Sequence, residues 1–198
     1  LVERGWQLFN RLAAVRYPTL ALIRGHCMGG GLELALACRR RLVVDEPGTK
    51  LALPEVMLGI VPAWGGMLRL PQLIGPAAAL DMMLTGKPVN ARKAKRLGLA
   101  DDCVPARVMD AAARILALGG RPARAPALVE RVSRRAMNGP LRRLVADRAR
   151  QQTAAKVRRE HYPAPYAIID IWERYEGNAL AVPAGDPASL EAIFSSPT

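Results

Sequence analysis

Residues 22–37, with the sequence LIRGHCMGGGLELALA, are the most informative part of this chain. An apolar segment that predicts a β-strand leads into three successive glycines, Gly29 to Gly31, and a leucine- and alanine-rich helical segment follows. Glycines allow backbone conformations that are closed to other residues, and they let another molecule approach the main chain closely. The unpaired N–H groups of a helix that starts here can hold negative charge developing on an oxygen atom.

One carboxylate, Glu33, lies among the apolar residues of that helical segment. Apolar surroundings make a carboxylate harder to ionise, which suits proton transfer near neutral pH. Glutamate in the first turn of a helix is also favoured by the helix dipole. On this segment alone, a structural role is therefore the more common explanation.

A second segment, KLALPEVMLGIVP at residues 50–62, again places a single acid, Glu55, among apolar residues. Gly65 and Gly66 follow it and open a short helical pattern. Pro54 before Glu55 is also ordinary at the start of a helix. Two isolated carboxylates beside glycine-rich turns together indicate acid–base chemistry at a carbonyl group.

These two segments resemble the two signatures of the crotonase (enoyl-CoA hydratase/isomerase) superfamily. The first signature is GHCMGGGLELA at residues 25–35, and the second is LPEVMLGIVP at 53–62 with the following glycine pair and RLP at 69–71. The ending, HYPAP at 161–165 and ASLEAIF at 188–194, is similar to the bacterial fatty-acid oxidation α-subunits. In those proteins a crotonase half is fused to a 3-hydroxyacyl-CoA dehydrogenase half.

The resemblance implies roles for individual positions. Gly30 matches the glycine whose N–H forms one half of an oxyanion hole for the thioester oxygen. Glu33 and Glu55 match the two catalytic glutamates that hold the attacking water and exchange protons with the substrate; which is acid and which is base stays open. We expect Arg69 to be architectural. The expected substrate-binding residues are Gly29, Met57, Leu58, Ile60, Trp64 and Gly65.

Four of those residues, Met57, Leu58, Ile60 and Trp64, are expected to line the acyl chain, with Trp64 limiting its length. The alternative is that Trp64 is a core residue. The reaction implied by the resemblance is syn hydration of a trans-2-enoyl-CoA to a 3-hydroxyacyl-CoA, with enoyl-CoA isomerase activity through the same carboxylates as an addition. One rival function is a stand-alone crotonase acting on another CoA thioester. The other is a non-catalytic crotonase-fold protein that binds nucleic acid.

The resemblance also implies the partners and cofactors. The substrate is carried as a CoA thioester, and we expect no metal and no covalently bound cofactor. NAD is expected only in the dehydrogenase half, because no Gly-x-Gly-x-x-Gly follows a predicted strand here. The full-length protein is expected to form a homo-oligomer or a complex with a thiolase β-subunit, in the cytoplasm and without nucleic acid.

The predicted fold class is α/β, a crotonase-like ββα spiral core followed by a helical C-terminal region. We place the core fragment at residues 1–118 and the helical region, leading toward an absent dehydrogenase half, at 119–198. The core is expected to be partial, because an Ala-Gly-x-Asp-like motif that would supply the second oxyanion donor is not found and Leu1 is not an initiator methionine. We therefore expect the chain to be an internal fragment of a larger polypeptide.

The residue patterns predict an N-terminal helix, strands at 19–23, 41–44, 50–53 and 99–104, and further helices at 31–38, 65–73, 77–84, 91–97 and 106–118. Asn90 is the expected cap of the helix at 91–97. A linker is predicted at 119–126. The rest is predicted to be helical, with interruptions at 163–165 and 182–187.

Length and composition predict about one domain with a real core and reduced thiols. The 198 residues are 51% hydrophobic, yet no run approaches the ~18 apolar residues of a membrane span. Cys27, Cys38 and Cys103 are odd in number, which favours free thiols over a disulfide framework. Cys27 lies beside His26, but sequence neighbours rarely form a nucleophile–base pair.

The net charge of +12 is concentrated in one stretch, because residues 121–160 hold twelve Lys or Arg and three acidic residues. A helical pattern there has Leu141, Leu144, Val145 and Ala149 as a candidate apolar stripe. The basic face could attract nucleic acid or the phosphates of CoA. We favour a solvated surface, because the stretch has no aromatic residues on which bases could stack.

Overall fold

The computed structural model describes residues 1–119 and 128–195. In those ranges, the strands are interspersed with helices along the first half of the chain. The strands are β1 Leu20–Ile23, β2 His26–Met28, β3 Arg40–Val44, β4 Lys50–Ala52, β5 Val89–Asn90 and β6 Asp102–Val104. The helices are α1 Val2–Ala14, α2 Gly30–Ala37, α3 Gly66–Ile74, α4 Pro76–Thr85, α5 Ala91–Leu97, α6 Met109–Ala117, α7 Leu128–Asn138, α8 Arg142–Ala154, α9 Ala164–Tyr175 and α10 Leu190–Phe194. Short 3₁₀ turns lie at Glu55–Leu58, Ala106–Val108 and Ala179–Ala181.

The strands form two small sheets that confirm the predicted α/β class. In the first sheet the order is β1-β3-β6 and all pairing is parallel, with Leu22 opposite Leu42. In the second sheet β2 pairs parallel with β4, and β5 pairs antiparallel with β4. Helix α2 connects β2 of the second sheet to β3 of the first, so its N-terminus lies where the chain leaves the second sheet.

The core is continuous from the sheets into the C-terminal helices. Leu42, Val43 and Val44 of β3 are fully buried, as expected for a parallel strand covered on both faces. Val43 belongs to a hydrophobic cluster that also includes residues of α3 and α4 and, from α9, Ile168 and Trp172. The division of the chain at residue 118 stays a prediction.

Several boundaries differ from the sequence-based ones. Strand β2 was not predicted, because three residues next to a glycine turn are too short to show alternation. No helix covers residues 155–163, and the prolines expected to interrupt a helix instead begin one: Pro163 caps α9 and Pro165 lies in its first turn, where a missing N–H costs nothing. Asn90 caps α5 as predicted, with Oδ1 accepting from the Lys93 N–H at 2.8 Å.

The predicted linker at 119–126 lies, except for Gly119, outside the described residues. Within residues 1–119 and 128–195, no helix combines the length and the apolar composition that crossing a bilayer requires.

Candidate active site

The site is built around the N-terminus of α2. Gly29 has φ +55° and ψ −130°, a conformation that favours glycine, and its carbonyl accepts from the Leu32 and Glu33 N–H groups. Its own N–H donates to the Ala52 carbonyl of β4 at 3.0 Å. In the described part of the chain, nothing accepts a hydrogen bond from the Gly30 or Gly31 N–H. Those two donors are therefore available to an oxygen atom of a ligand.

Glu33 is buried, with 3% of its surface exposed, and is held by the loop that precedes α3. Its Oε1 accepts hydrogen bonds from the Trp64 and Gly66 N–H groups, both at 2.8 Å. A Cβ at Gly66 would lie 3.0 Å from that oxygen, so the glycine lets the carboxylate approach. Burial raises the pKa of Glu33 to about 7, although the hydrogen bonds from Gly66 and Trp64 and the charge of Arg69 lower it.

Glu55 lies in the 3₁₀ turn after β4 and is also buried, with 8% of its surface exposed. Neither of its carboxylate oxygens has a hydrogen-bond partner among the described residues. Burial raises the pKa of Glu55 to about 7; the residue's own backbone N–H lowers it, and the charge of Glu33 raises it further. Its Oε1 lies 3.4 Å from the position that a Cβ would take at Gly29. The fold thus brings the two glutamates together at the glycine turn that begins α2.

Trp64 lies against this turn from the side of α1. A Cβ at Gly30 would lie 2.6 Å from Cζ3 of the indole, and a Cβ at Gly5 would lie 2.4 Å from its Nε1. The Phe9 ring meets the indole edge-on, with centroids 5.6 Å apart and planes at 81°. The half-buried indole therefore packs between two glycines, one in α1 and one at the N-terminus of α2.

The other predicted substrate-binding residues are less enclosed. Met57 is 67% exposed and Leu58 is 70% exposed, while Ile60 is half-buried. Gly65 is buried, with φ +109°, between the two residues whose N–H groups bind Glu33. The substrate contacts of these residues stay predictions.

Three contacts at the site escaped the sequence analysis. Arg69 bonds the Trp64 carbonyl and Asn10 of α1, and the Tyr162 hydroxyl donates to the Val56 carbonyl, one residue after Glu55. Asn10 and Tyr162 are polar residues that carry no local motif, so only the fold shows that they reach the site.

The cysteines and metal-binding residue types add no second centre. Burial raises the pKa of Cys27 to about 11, so its thiol stays protonated and is a poor nucleophile. Cys27, Cys38 and Cys103 are free. In the ranges that the structure describes, no three His, Cys, Asp or Glu residues are grouped so as to hold a metal ion.

Comparison with known proteins identifies the family. The model of the "Enoyl-CoA hydratase/isomerase" family matches residues 2–160. The "Fatty acid oxidation complex subunit alpha" of Vibrio cholerae is 46% identical over 173 residues, and the protein of that name from Shewanella putrefaciens is 43% identical over 173 residues. Each alignment covers 86% of this chain but 24% of the relative, so the chain spans about a quarter of those proteins.

Solved structures agree with this result. Pseudomonas aeruginosa DspI is 32% identical with a TM-score of 0.56, over 79% of this chain and 60% of that one. An enoyl-CoA hydratase from Bacillus anthracis is 28% identical with a TM-score of 0.56, over the same shares of the two chains. The glycine turn and the two glutamates thus lie on a recognised scaffold, and the chain belongs to the enoyl-CoA hydratase/isomerase (crotonase) family.

Proposed function

We propose that this chain carries the hydratase site of a fatty-acid β-oxidation enzyme, which adds water in the syn sense to trans-2-enoyl-CoA and forms 3-hydroxyacyl-CoA. The observation that supports it most is the pair of buried glutamates, each with a pKa raised to about 7, beside two free N–H groups at the start of α2. The similarity to fatty acid oxidation α-subunits supports the choice of substrate class.

The free N–H of Gly30 would act on the thioester oxygen. When water attacks C3 of an enoyl thioester, negative charge develops on that oxygen, and a prearranged donor stabilises it. Loss of one such donor in other enzymes costs ~10²–10³ in rate. A second donor is required for a complete oxyanion hole, and we assign it to no described residue.

The environments of the two carboxylates suggest different protonation states. Two backbone N–H groups donate to Glu33, which favours its ionised form, whereas no described residue donates a hydrogen bond to the oxygens of Glu55 within the structure's hydrogen-bond distance. Because the two groups interact, they titrate as a pair that holds about one proton near neutral pH. We infer that Glu33 is the base that takes a proton from water and that Glu55 delivers a proton to C2.

The proposal includes which residues contact the substrate, a second activity and the assembly of the enzyme. Gly29 and Gly65 would face the thioester, and Met57, Leu58, Ile60 and Trp64 would lie along the acyl chain. Isomerase activity would use the same two glutamates. We propose that the enzyme acts in the cytoplasm with no bound cofactor, as a homo-oligomer or together with a thiolase β-subunit, and that NAD would serve only a dehydrogenase half.

The test is hydration of crotonyl-CoA by the complete protein that carries this sequence. Glu33→Gln and Glu55→Gln should each abolish most turnover, and the double variant should be far less than additively worse because the pair acts as a unit. Glu46→Gln is the matched control, because Glu46 forms an exposed ion pair with Arg24 away from the site. If either single variant keeps near-normal turnover while Glu46→Gln does too, that glutamate is not a principal acid or base.

A further inference from the structure

Arg69 of α3 lies between helix α1 and the loop 64–66 that binds Glu33. Its Nη1 donates to the Trp64 carbonyl at 3.2 Å, and its Nη2 donates to Oδ1 of Asn10 at 2.5 Å. The N–H of the same tryptophan donates to Glu33 Oε1 at 2.8 Å. Both peptide groups of Trp64 are therefore fixed, one by the arginine and one by the glutamate.

The backbone leaves room for this guanidinium only because residue 65 is glycine. Gly65 has φ +109°, and a Cβ built there would lie 1.7 Å from Nη1 of Arg69. The half-buried guanidinium thus packs directly on the loop, and no carboxylate of the described residues is hydrogen-bonded to it. Arginine stays protonated in folded proteins, so its positive charge is permanent.

That charge acts on Glu33. Burial raises the pKa of Glu33, the Gly66 and Trp64 N–H groups oppose this, and Arg69 opposes it further. Among the described residues, the other charged group that interacts with Glu33 is Glu55 in the 3₁₀ turn, whose pKa is raised by the charge of Glu33. From α1 the arginine is met by Asn10, which is neutral and so adds orientation without charge.

We propose that Arg69 is a positioning residue for the hydration site. Arg69 is itself held by Asn10, and it fixes the Trp64–Gly66 loop. The Trp64 and Gly66 N–H groups of that loop then orient the Glu33 carboxylate in its ionised form. The inference rests on the proposed function in one respect, namely that ionised Glu33 is the base. It goes beyond the architectural role expected for Arg69, because it assigns the residue an effect on the protonation of the site.

The experiment compares Arg69→Gln, Arg69→Lys and Asn10→Ala in the complete protein, with Arg92→Gln as the control. Arg92 forms an exposed ion pair with Asp45 and contacts none of the site. We expect Arg69→Gln to lower kcat for crotonyl-CoA at least tenfold at neutral pH, with a smaller change in KM. The acid limb of its pH profile should move up by about one pH unit, because an opposite charge that favoured the ionised form is gone.

The conservative variant separates charge from shape. Arg69→Lys should keep the acid limb near its original position but recover only part of kcat, because lysine lacks the planar fork that bonds two acceptors at once. Asn10→Ala should lower kcat less than Arg69→Gln does. If Arg69→Gln and Arg69→Lys lower turnover equally at every pH, in step with a lower melting temperature, the residue is only structural and the proposal is wrong.

A second measurement keeps this inference separate from the proposed function. The Glu33 carboxyl is titrated by ¹³C NMR in protein labelled at the glutamate carboxyls, with Glu33→Gln for the assignment. A pKa of Glu33 that rises in Arg69→Gln supports the inference even if the unaltered protein fails to hydrate crotonyl-CoA, which would refute the hydratase proposal. An unchanged titration overturns the role of Arg69, whatever the activity.

Discussion

Glu33 and Glu55 have opposite surroundings, although they lie in sequence contexts that look alike. The Glu33 carboxylate accepts hydrogen bonds from two backbone N–H groups at 2.8 Å, and in residues 1–119 and 128–195 neither oxygen of Glu55 has a hydrogen-bond partner. The sequence predicts both acids and the glycine turn, because isolated acids in apolar segments are locally visible. It could not separate their roles, since the donors to Glu33 come from residues 31 and 33 positions later in the chain.

Trp64 is a residue whose substitution tests the acyl-chain proposal. Trp64→Ala removes the indole that packs on Gly5 and Gly30 and so opens space beside the start of α2. We expect kcat/KM to shift toward longer enoyl-CoA chains, with each methylene worth at most about 1–3 kcal/mol. The measurement is kcat/KM over a series of chain lengths.

Trp64→Phe is the control for that series, since it keeps an aromatic ring against Phe9 and should change the chain-length profile less. A uniform fall across all chain lengths that tracks a lower melting temperature would assign Trp64 to the core instead. The chain-length preference would then depend on other residues.

At the scale of secondary-structure elements, strand β3 is fixed to the segment before β6 by a buried ion pair. Arg41 is 4% exposed; its Nε donates to the Leu99 carbonyl at 2.8 Å, and its backbone N–H donates to Asp101 Oδ2 at 2.8 Å. The Arg41 guanidinium also meets Asp101 at 3.3 Å, and Arg40 meets it at 3.1 Å. This arrangement ties the first sheet to the turn after α5.

Asp101→Ala should therefore destabilise the protein strongly, by about 3–5 kcal/mol, because it leaves the Arg41 charge buried and unpaired. Urea unfolding at neutral pH measures the loss. Asp45→Ala is the matched control, since Asp45 pairs with the exposed Arg92 and should change stability far less. Equal effects of the two substitutions would show that the Arg41 ion pair contributes no more than a surface one.

The limits of sequence-based prediction are clearest in α8. Of the proposed apolar stripe, Leu141 and Leu144 are 43% and 66% exposed, whereas Ala149 is buried and Val145 packs against the core. The buried face of α8 also includes two small residues that the prediction did not contain, Ala146 and Thr153. Hydrophobicity alone does not detect such a face, because close helix packing selects for size as well as for apolar character.

At the scale of the whole molecule, the C-terminal region packs against the elements that carry the site. The Tyr162 hydroxyl bonds the Val56 carbonyl across 106 positions of sequence, and α9 contributes to the core shared with α3 and α4. Three arginines of this region form ion pairs: Arg142 with Glu176, Arg150 with Asp170 and Glu173, and Arg159 with Asp170. For these three arginines, the ion pairs favour a structural use over nucleic-acid binding.

We propose that two coupled carboxyl groups, with pKa values raised to about 7, perform the acid–base chemistry at this site. The pH dependence of kcat/KM for crotonyl-CoA in the complete protein tests it most directly. The base must be ionised, so the rate should rise with pH up to about 7; the acid must be protonated, so the rate should fall above that value. We expect a bell-shaped pH profile of kcat/KM with its maximum close to pH 7. A rate that stays flat from about pH 5 to pH 9, as expected if the reaction required only ionised carboxylates with ordinary pKa values near 4 and no protonated carboxyl, would contradict it.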